Sequence, residues 1–140
     1  MIRTLLLLVV VASNLGANAA LAAYTPGVAY LLHCGGCHLF DGRSNPPEVP
    51  DLRGELGRIV AVPGGRDYLA RVPGASQAPV SDQELAEILN WVLHRFNEKT
   101  LPVDFTPLTG EEVGKSRRNV LKDPLKHRAT LWERYEAAQE

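Results

Sequence analysis

The sequence predicts an all-α chain, and three observations carry that expectation. Helix-start signals recur along it: Thr25-Pro26, Ser81-Asp82-Gln83-Glu84, Thr109-Gly110-Glu111-Glu112 and Asp123-Pro124 each place a capping side chain, a first-position proline or both ahead of an apolar pattern. Apolar residues then follow the helical period, most clearly from Asp82 to Phe96. Alternating β-branched runs, the mark of a strand, are missing, and Gly and Pro punctuate the rest.

The chain has 140 residues, a net charge of -1, 45% hydrophobic and 22% charged residues, and only two cysteines. Such a composition suits one small globular domain with modest additions and excludes disordered, collagen-like and disulfide-stapled classes. General nucleic-acid binding would need a strongly basic domain, so none is expected.

Taken in order, the first segment reads as an address. Met1, Ile2 and Arg3 make a short basic start, Leu5 to Ala12 is unbroken aliphatic, and small residues follow in Ala17-Asn18-Ala19 and Ala20-Leu21-Ala22. This is the pattern of a secretory signal peptide, residues 1–22, cut after Ala22 or Ala19. Its apolar core falls short of the roughly 20 residues that span a bilayer, so no stable membrane anchor is expected after cleavage. The exported chain would reside in the periplasm.

Thr25-Pro26 starts a helix whose stripe of Val28, Leu31 and Leu32 runs into Cys34. Asp41 to Pro50 is loop, Leu56, Ile59 and Val60 allow a short turn of helix, Asp67 to Val72 another, and Pro73 to Pro79 is again loop. The helix from Asp82 to Phe96 places Leu85, Ile88, Leu89, Val92 and Phe96 on one face and His94 on the opposite one. Two further helices are expected at about 110–120 and 124–137. Charge is uneven: Tyr24 to Gly114 holds twelve acids and seven bases, whereas Lys115 to Arg134 holds seven bases against Asp123 and Glu133. Val113, Val120, Leu121, Leu125, Leu131, Trp132 and Tyr135 form an apolar stripe on this basic arm, which favours its packing on the acidic body over docking to a partner.

The chemistry sits in Cys34-Gly35-Gly36-Cys37-His38. Cys-x-x-Cys-His is the attachment motif for c-type haem, in which two thiols add to the haem vinyl groups and the adjacent His ligates iron. A disulfide across so short a loop would constrain the unfolded chain little. A zinc site would need further thiols or a paired His motif, and His94 and His127 are single and distant. A thioredoxin-like dithiol would need a preceding strand, whereas the segment before Cys34 reads as helix.

From these residues onward the chain resembles class I cytochromes c. Val49-Pro50-Asp51-Leu52-Arg53-Gly54-Glu55-Leu56-Gly57-Arg58 is similar to that family's Gly-Pro-x-Leu-x-Gly-x-x-Gly-Arg segment, with Val49 in place of the first Gly. The resemblance implies a helical fold wrapped round one covalent haem c, tethered by Cys34 and Cys37 with His38 as axial iron ligand. It further implies that the Pro50 carbonyl accepts a hydrogen bond from His38 Nδ1, that Leu52 packs on the haem face and that Arg58 partners a haem propionate. It covers about Tyr24 to Lys99, giving a haem domain at 23–100 and a basic helical extension at 101–140.

The distal side departs from the family, whose members usually supply a Met there. The only methionine here is Met1. The corresponding loop is Arg71 to Pro79, in which Gln77 is the longest neutral polar side chain and the residue expected nearest the distal iron face, as a weak ligand or none. Two functions compete for such a site. One is an electron carrier between a periplasmic dehydrogenase and a downstream acceptor, its partners being periplasmic redox proteins. The other is an open-coordination haem protein that binds a small gas or reacts with peroxide. Peroxide chemistry calls for a distal acid-base group, which the loop lacks, and this favours the carrier.

Overall fold

The computed structural model describes residues 24–140, and the expected signal peptide lies outside the described residues. Among them are eight helices and no strand: α1 Pro26–His33, α2 Gly35–His38, α3 Glu55–Ile59, α4 Gly65–Arg71, α5 Pro73–Ser76, α6 Asp82–Asn97, α7 Gly110–Arg117 and α8 Pro124–Ala137. The all-α expectation therefore holds.

Helix α6 is the centre of the fold. Its start is a complete capping box: Glu84 N–H donates to Ser81 Oγ at 3.2 Å, and Ser81 N–H donates to the Glu84 carboxylate at 2.8 Å. Leu85, Ile88 and Val92 are buried as the helical period requires, Leu89 and Phe96 are half-buried, and His94 is exposed. Ala86 and Leu93 are buried as well, because α6 meets α1 along one side and α3, α4 and α7 along others. A helix enclosed on several sides needs a wider apolar arc than a surface helix.

Against α6, α1 contributes Tyr30, which is fully buried and meets the rings of Trp91 at 5.0 Å and Phe96 at 5.5 Å. Such tilted and edge-on pairs add about 0.5–1.5 kcal/mol each beyond the area they bury.

Local signals misplaced several boundaries, each for a visible reason. Thr25 precedes Pro26 at the first helical position, but its side chain makes no capping bond. Helix α4 begins at Gly65 rather than Asp67, since Gly64 turns the chain at φ +87°. The stretch expected to be loop after Val72 contains α5, with Pro73 again in a first-turn position. Helix α7 stops at Arg117, short of residue 120, because the chain leaves it to bond Leu121 N–H to the Arg71 carbonyl at 2.9 Å.

The basic arm packs on the body. Val113, Leu121 and Leu131 are buried in the same apolar cluster as Tyr30, Ile59 and Leu93, while Val120 and Leu125 stay exposed. Helix α7 sits close against the first turn of α6 because Gly110 and Gly114 face it; a Cβ there would run into Gln83 and Asp82. The Thr109 box is only half made: Thr109 Oγ1 accepts from Glu112 N–H at 3.2 Å, but the Glu112 carboxylate turns instead to Arg66 of α4, at 2.7 and 2.8 Å. A planar guanidinium matches a carboxylate in this two-point fashion.

That pair gives a pH dependence. The hydrogen bonds from Arg66 hold the Glu112 carboxyl below its ordinary value of 4.5. Its contribution is present above that ordinary value and is lost as pH falls through the lower folded-state value, because the unfolded chain takes the proton first. A series of thermal melts in falling pH should therefore show a steeper loss of Tm in the parent than in Glu112→Gln. Identical slopes would remove this pair from the acid response.

Candidate functional site

Helix α1 ends at His33, and Cys34 forms the hinge into the single turn of α2 that carries Cys37 and His38. The backbone stays coiled across the hinge: Cys34 N–H bonds to the Tyr30 carbonyl at 2.8 Å, and the N–H groups of Cys37 and His38 both reach the Cys34 carbonyl, at 3.2 and 3.0 Å. Both thiols and the imidazole thus stand on one turn. Just beyond it Leu39 has φ +49°, a region that favours glycine. The buried Tyr30 hydroxyl holds this reversal, lying within donating distance of the His38 carbonyl at 3.0 Å and the Leu39 carbonyl at 2.8 Å. Burial, with Cys34 nearby, pushes that phenol up to about 12, so it is a donor at any physiological pH.

The two cysteines are free, Cys34 half-buried and Cys37 exposed. Burial first, and then Cys37 beside it, pushes the Cys34 thiol up to about 11. Dithiol oxidoreductases depend on a cysteine with a lowered pKa, and this shift runs the other way. Among the described residues no group of three or more His, Cys, Asp or Glu side chains could hold a metal ion, so a zinc site has no donor set there.

Burial lowers the pKa of His38, with Asp51 opposing and Arg128 adding to the effect. Its Nδ1 is buried and makes no hydrogen bond. The bond to the Pro50 carbonyl implied by the family resemblance is therefore not formed in this structure. Pro50 and Asp51 do lie beside the arm: Arg128 of α8 donates to the Asp51 carbonyl at 3.4 Å and to Glu55 at 2.6 Å, across a groove lined by Pro50, Asp51, Glu55 and Trp132.

Leu52 is half-buried against the core, and its N–H reaches the Gly42 carbonyl at 3.0 Å. Arg58 is half-buried with its guanidinium 6.0 Å from the Trp132 ring centre. Gln77 is exposed at the C-terminal end of α5. His127 stacks on Tyr68 at 5.9 Å, and His94 meets Phe105 edge-on at 5.9 Å. His33 is exposed. The structure thus brings Cys34, Cys37 and His38 onto one turn and ties the Pro50–Leu52 segment to α6 and α8.

Three residues that sequence reasoning did not single out organise this region. Asn97, buried at the end of α6, accepts from Gly57 N–H at 3.2 Å and donates to the Leu52 carbonyl at 2.9 Å. Tyr30 holds the turn after His38, and Arg117 grips the loop around Gln77. A lone Asn closing a helix and an Arg within a basic run carry no local pattern that marks them.

The free thiols, the buried imidazole nitrogen without a partner, and Leu31, Leu32, Leu39 and Phe40 exposed around them fit a large apolar ring bonded at this turn. A helical chain with that constellation is a haem protein of the covalently attached kind. Comparison with known proteins agrees. Over 117 residues the chain is 31% identical to a cytochrome c-552 of Thermus thermophilus, spanning 71% of this chain and 79% of the relative. A second Thermus thermophilus cytochrome c-552 is 31% identical over 113 residues, spanning 68% of this chain and 86% of the relative. No family model matches, and no solved structure matches. The chain belongs to the class I c-type cytochromes, carries covalently bound haem c and is an electron carrier. No helix among the described residues is long and apolar enough to cross a membrane.

Proposed function

We propose that the protein is an exported, periplasmic single-haem carrier that takes electrons from a periplasmic dehydrogenase and passes them to a downstream redox protein. Cys34 and Cys37 are its thioether anchors and His38 its proximal iron ligand, with residues 23–100 the haem-binding unit and 101–140 a strap over it. When bound, the haem supplies the one-electron Fe(III)/Fe(II) couple. The observation that carries this reading is the single turn on which two free thiols and a half-buried imidazole with a buried, unpartnered Nδ1 stand together. Pro50, Leu52 and Arg58 line the proximal and edge surroundings, and Tyr30 keeps the turn in place. On the distal side Gln77 is the nearest polar side chain, a weak or absent ligand, so the iron's sixth position is open or loosely held.

The same reading separates carrier from enzyme. A group that hands on a proton near the iron would be needed for peroxide turnover. Of the three imidazoles outside the attachment turn, His33 is exposed at the end of α1, and His94 and His127 are turned to Phe105 and Tyr68. Spectra of the oxidised and reduced holoprotein, with and without carbon monoxide, test both points. We expect a c-type spectrum that survives denaturation and shifts with carbon monoxide. Turnover of peroxide would overturn the carrier assignment, and a low-spin spectrum indifferent to carbon monoxide would overturn the open site.

A further inference from the structure

The least expected polar cluster in the molecule joins the C-terminal arm to the loop that carries Gln77. Arg117, the last residue of α7, has a side chain only 13% exposed. Its Nε donates to the Ser76 carbonyl at 3.0 Å, one Nη to the Val80 carbonyl at 2.9 Å, and the other Nη to the Ala78 carbonyl at 2.7 Å. The Asp82 carboxylate at 3.2 Å balances its charge. The Ser76 carbonyl at the end of α5 has no intrahelical partner, and one guanidinium serves it together with the Ala78 and Val80 carbonyls of the loop leading to α6. Only arginine offers five N–H donors in a rigid plane; lysine is a single point of attachment.

Helix α7 is built to deliver this side chain. Gly110, Gly114 and Arg117 lie four and three residues apart, so they share one helical face. The two glycines let α7 approach Gln83 and Asp82 at the start of α6, and Arg117 continues that face onto the loop. The loop's other hydrogen bonds are local: Ser76 and Gln77 N–H reach Val72 and Pro73, Ala78 N–H reaches Ala75 and Val80 N–H reaches Ala78, while Pro79 has no N–H to give and Val80 packs on the core.

We propose that Arg117 is a positioning residue for the sixth coordination position of the iron, and that the arm thereby sets how readily an outside ligand enters there. This rests on the reading that the Gln77 loop lies on the distal side. Arg117 touches neither iron nor haem; it acts by holding the backbone of Ser76 to Val80 in one arrangement. The arm is then part of the electron-transfer site as well as part of the core.

The test uses ferric holoprotein and imidazole as the incoming ligand. Arg117→Gln should bind imidazole about tenfold faster, which corresponds to about 1.4 kcal/mol removed from the barrier, with Arg117→Lys falling between it and the parent. The control is Arg66→Gln, which cuts the Arg66–Glu112 tie of the same helix to α4 without touching the loop; its imidazole rate should stay within about twofold of the parent. Hydrogen exchange of the Ser76, Gln77, Ala78 and Val80 amides should quicken in Arg117→Gln alone. Equal acceleration in Arg66→Gln would overturn the proposal, reducing Arg117 to a general strap. Faster loop exchange with unchanged imidazole binding would overturn it by placing the loop away from the iron. Should Arg117→Gln not fold, Arg117→Lys decides between the same outcomes. Failure of the haem assignment itself would show earlier and separately, as parent protein with no haem after denaturation.

Discussion

Replacing Cys34 and Cys37 together by alanine is expected to give protein whose haem, if any is present, is stripped entirely by denaturation. Each thiol is an independent anchor, so a single Cys37→Ala change should retain a fraction of attached haem, whereas the double change leaves none. The consequence reaches stability. Leu31, Leu32, Leu39 and Phe40 stand 48–75% exposed around the motif. Fully covering an apolar side chain of this size is worth about 1.5–3 kcal/mol, so even partial loss of their cover amounts to several kcal/mol over the four. We therefore expect a clear fall in Tm alongside loss of the spectrum, measured on protein produced with haem-loading machinery present. Covalent haem surviving in the double variant would sink the attachment site.

The second large effect is expected far from the thiols. Asn97 is buried, and its side chain closes a link between the end of α6, the Gly57 amide of α3 and the Leu52 carbonyl. Asn97→Ala would leave the buried Gly57 N–H and the part-buried Leu52 carbonyl without this partner. An unsatisfied buried group costs about 1–3 kcal/mol, so the two together should lower stability by about 2–4 kcal/mol. For a chain of this size that corresponds to a drop of roughly 10 °C in Tm. A melt within about 1 °C of the parent would show that the link is replaced by other partners or is not made. Because the same link fixes the Leu52 segment, the change should also speed amide exchange at Leu52 and Gly57.

These two expectations come from differently legible parts of the chain. The Cys34-Gly35-Gly36-Cys37-His38 run is five adjacent residues, and a motif whose spacing is set by covalent geometry needs no tertiary contact to be recognised. The long helix from Asp82 was equally plain, since a capping box and a helical apolar period are local patterns. Asn97 was invisible because its partners lie 40 and 45 residues away. Glu112 misled for a related reason: its spacing from Thr109 matched a capping box, but an arginine 46 residues distant competed for its carboxylate and won. A bidentate ion pair offers more than one N–H at a helix start.

The sequence by itself determined that this protein is helical and that two thiols and an imidazole stand together in the Cys34–His38 run that follows α1. Those properties follow from neighbouring residues, whose spacing decides what one helical turn can present. Only the tertiary structure decided what the basic arm does. Its apolar stripe already favoured packing on the body, but which charges turn inward was not legible: Arg117 and Arg128 reach the carbonyls of the Gln77 loop and Asp51 and Glu55. An orphan carbonyl becomes a partner only when folding brings a donor to it. Two glycines bringing α7 against α6, rather than any pattern around Arg117, placed that donor there.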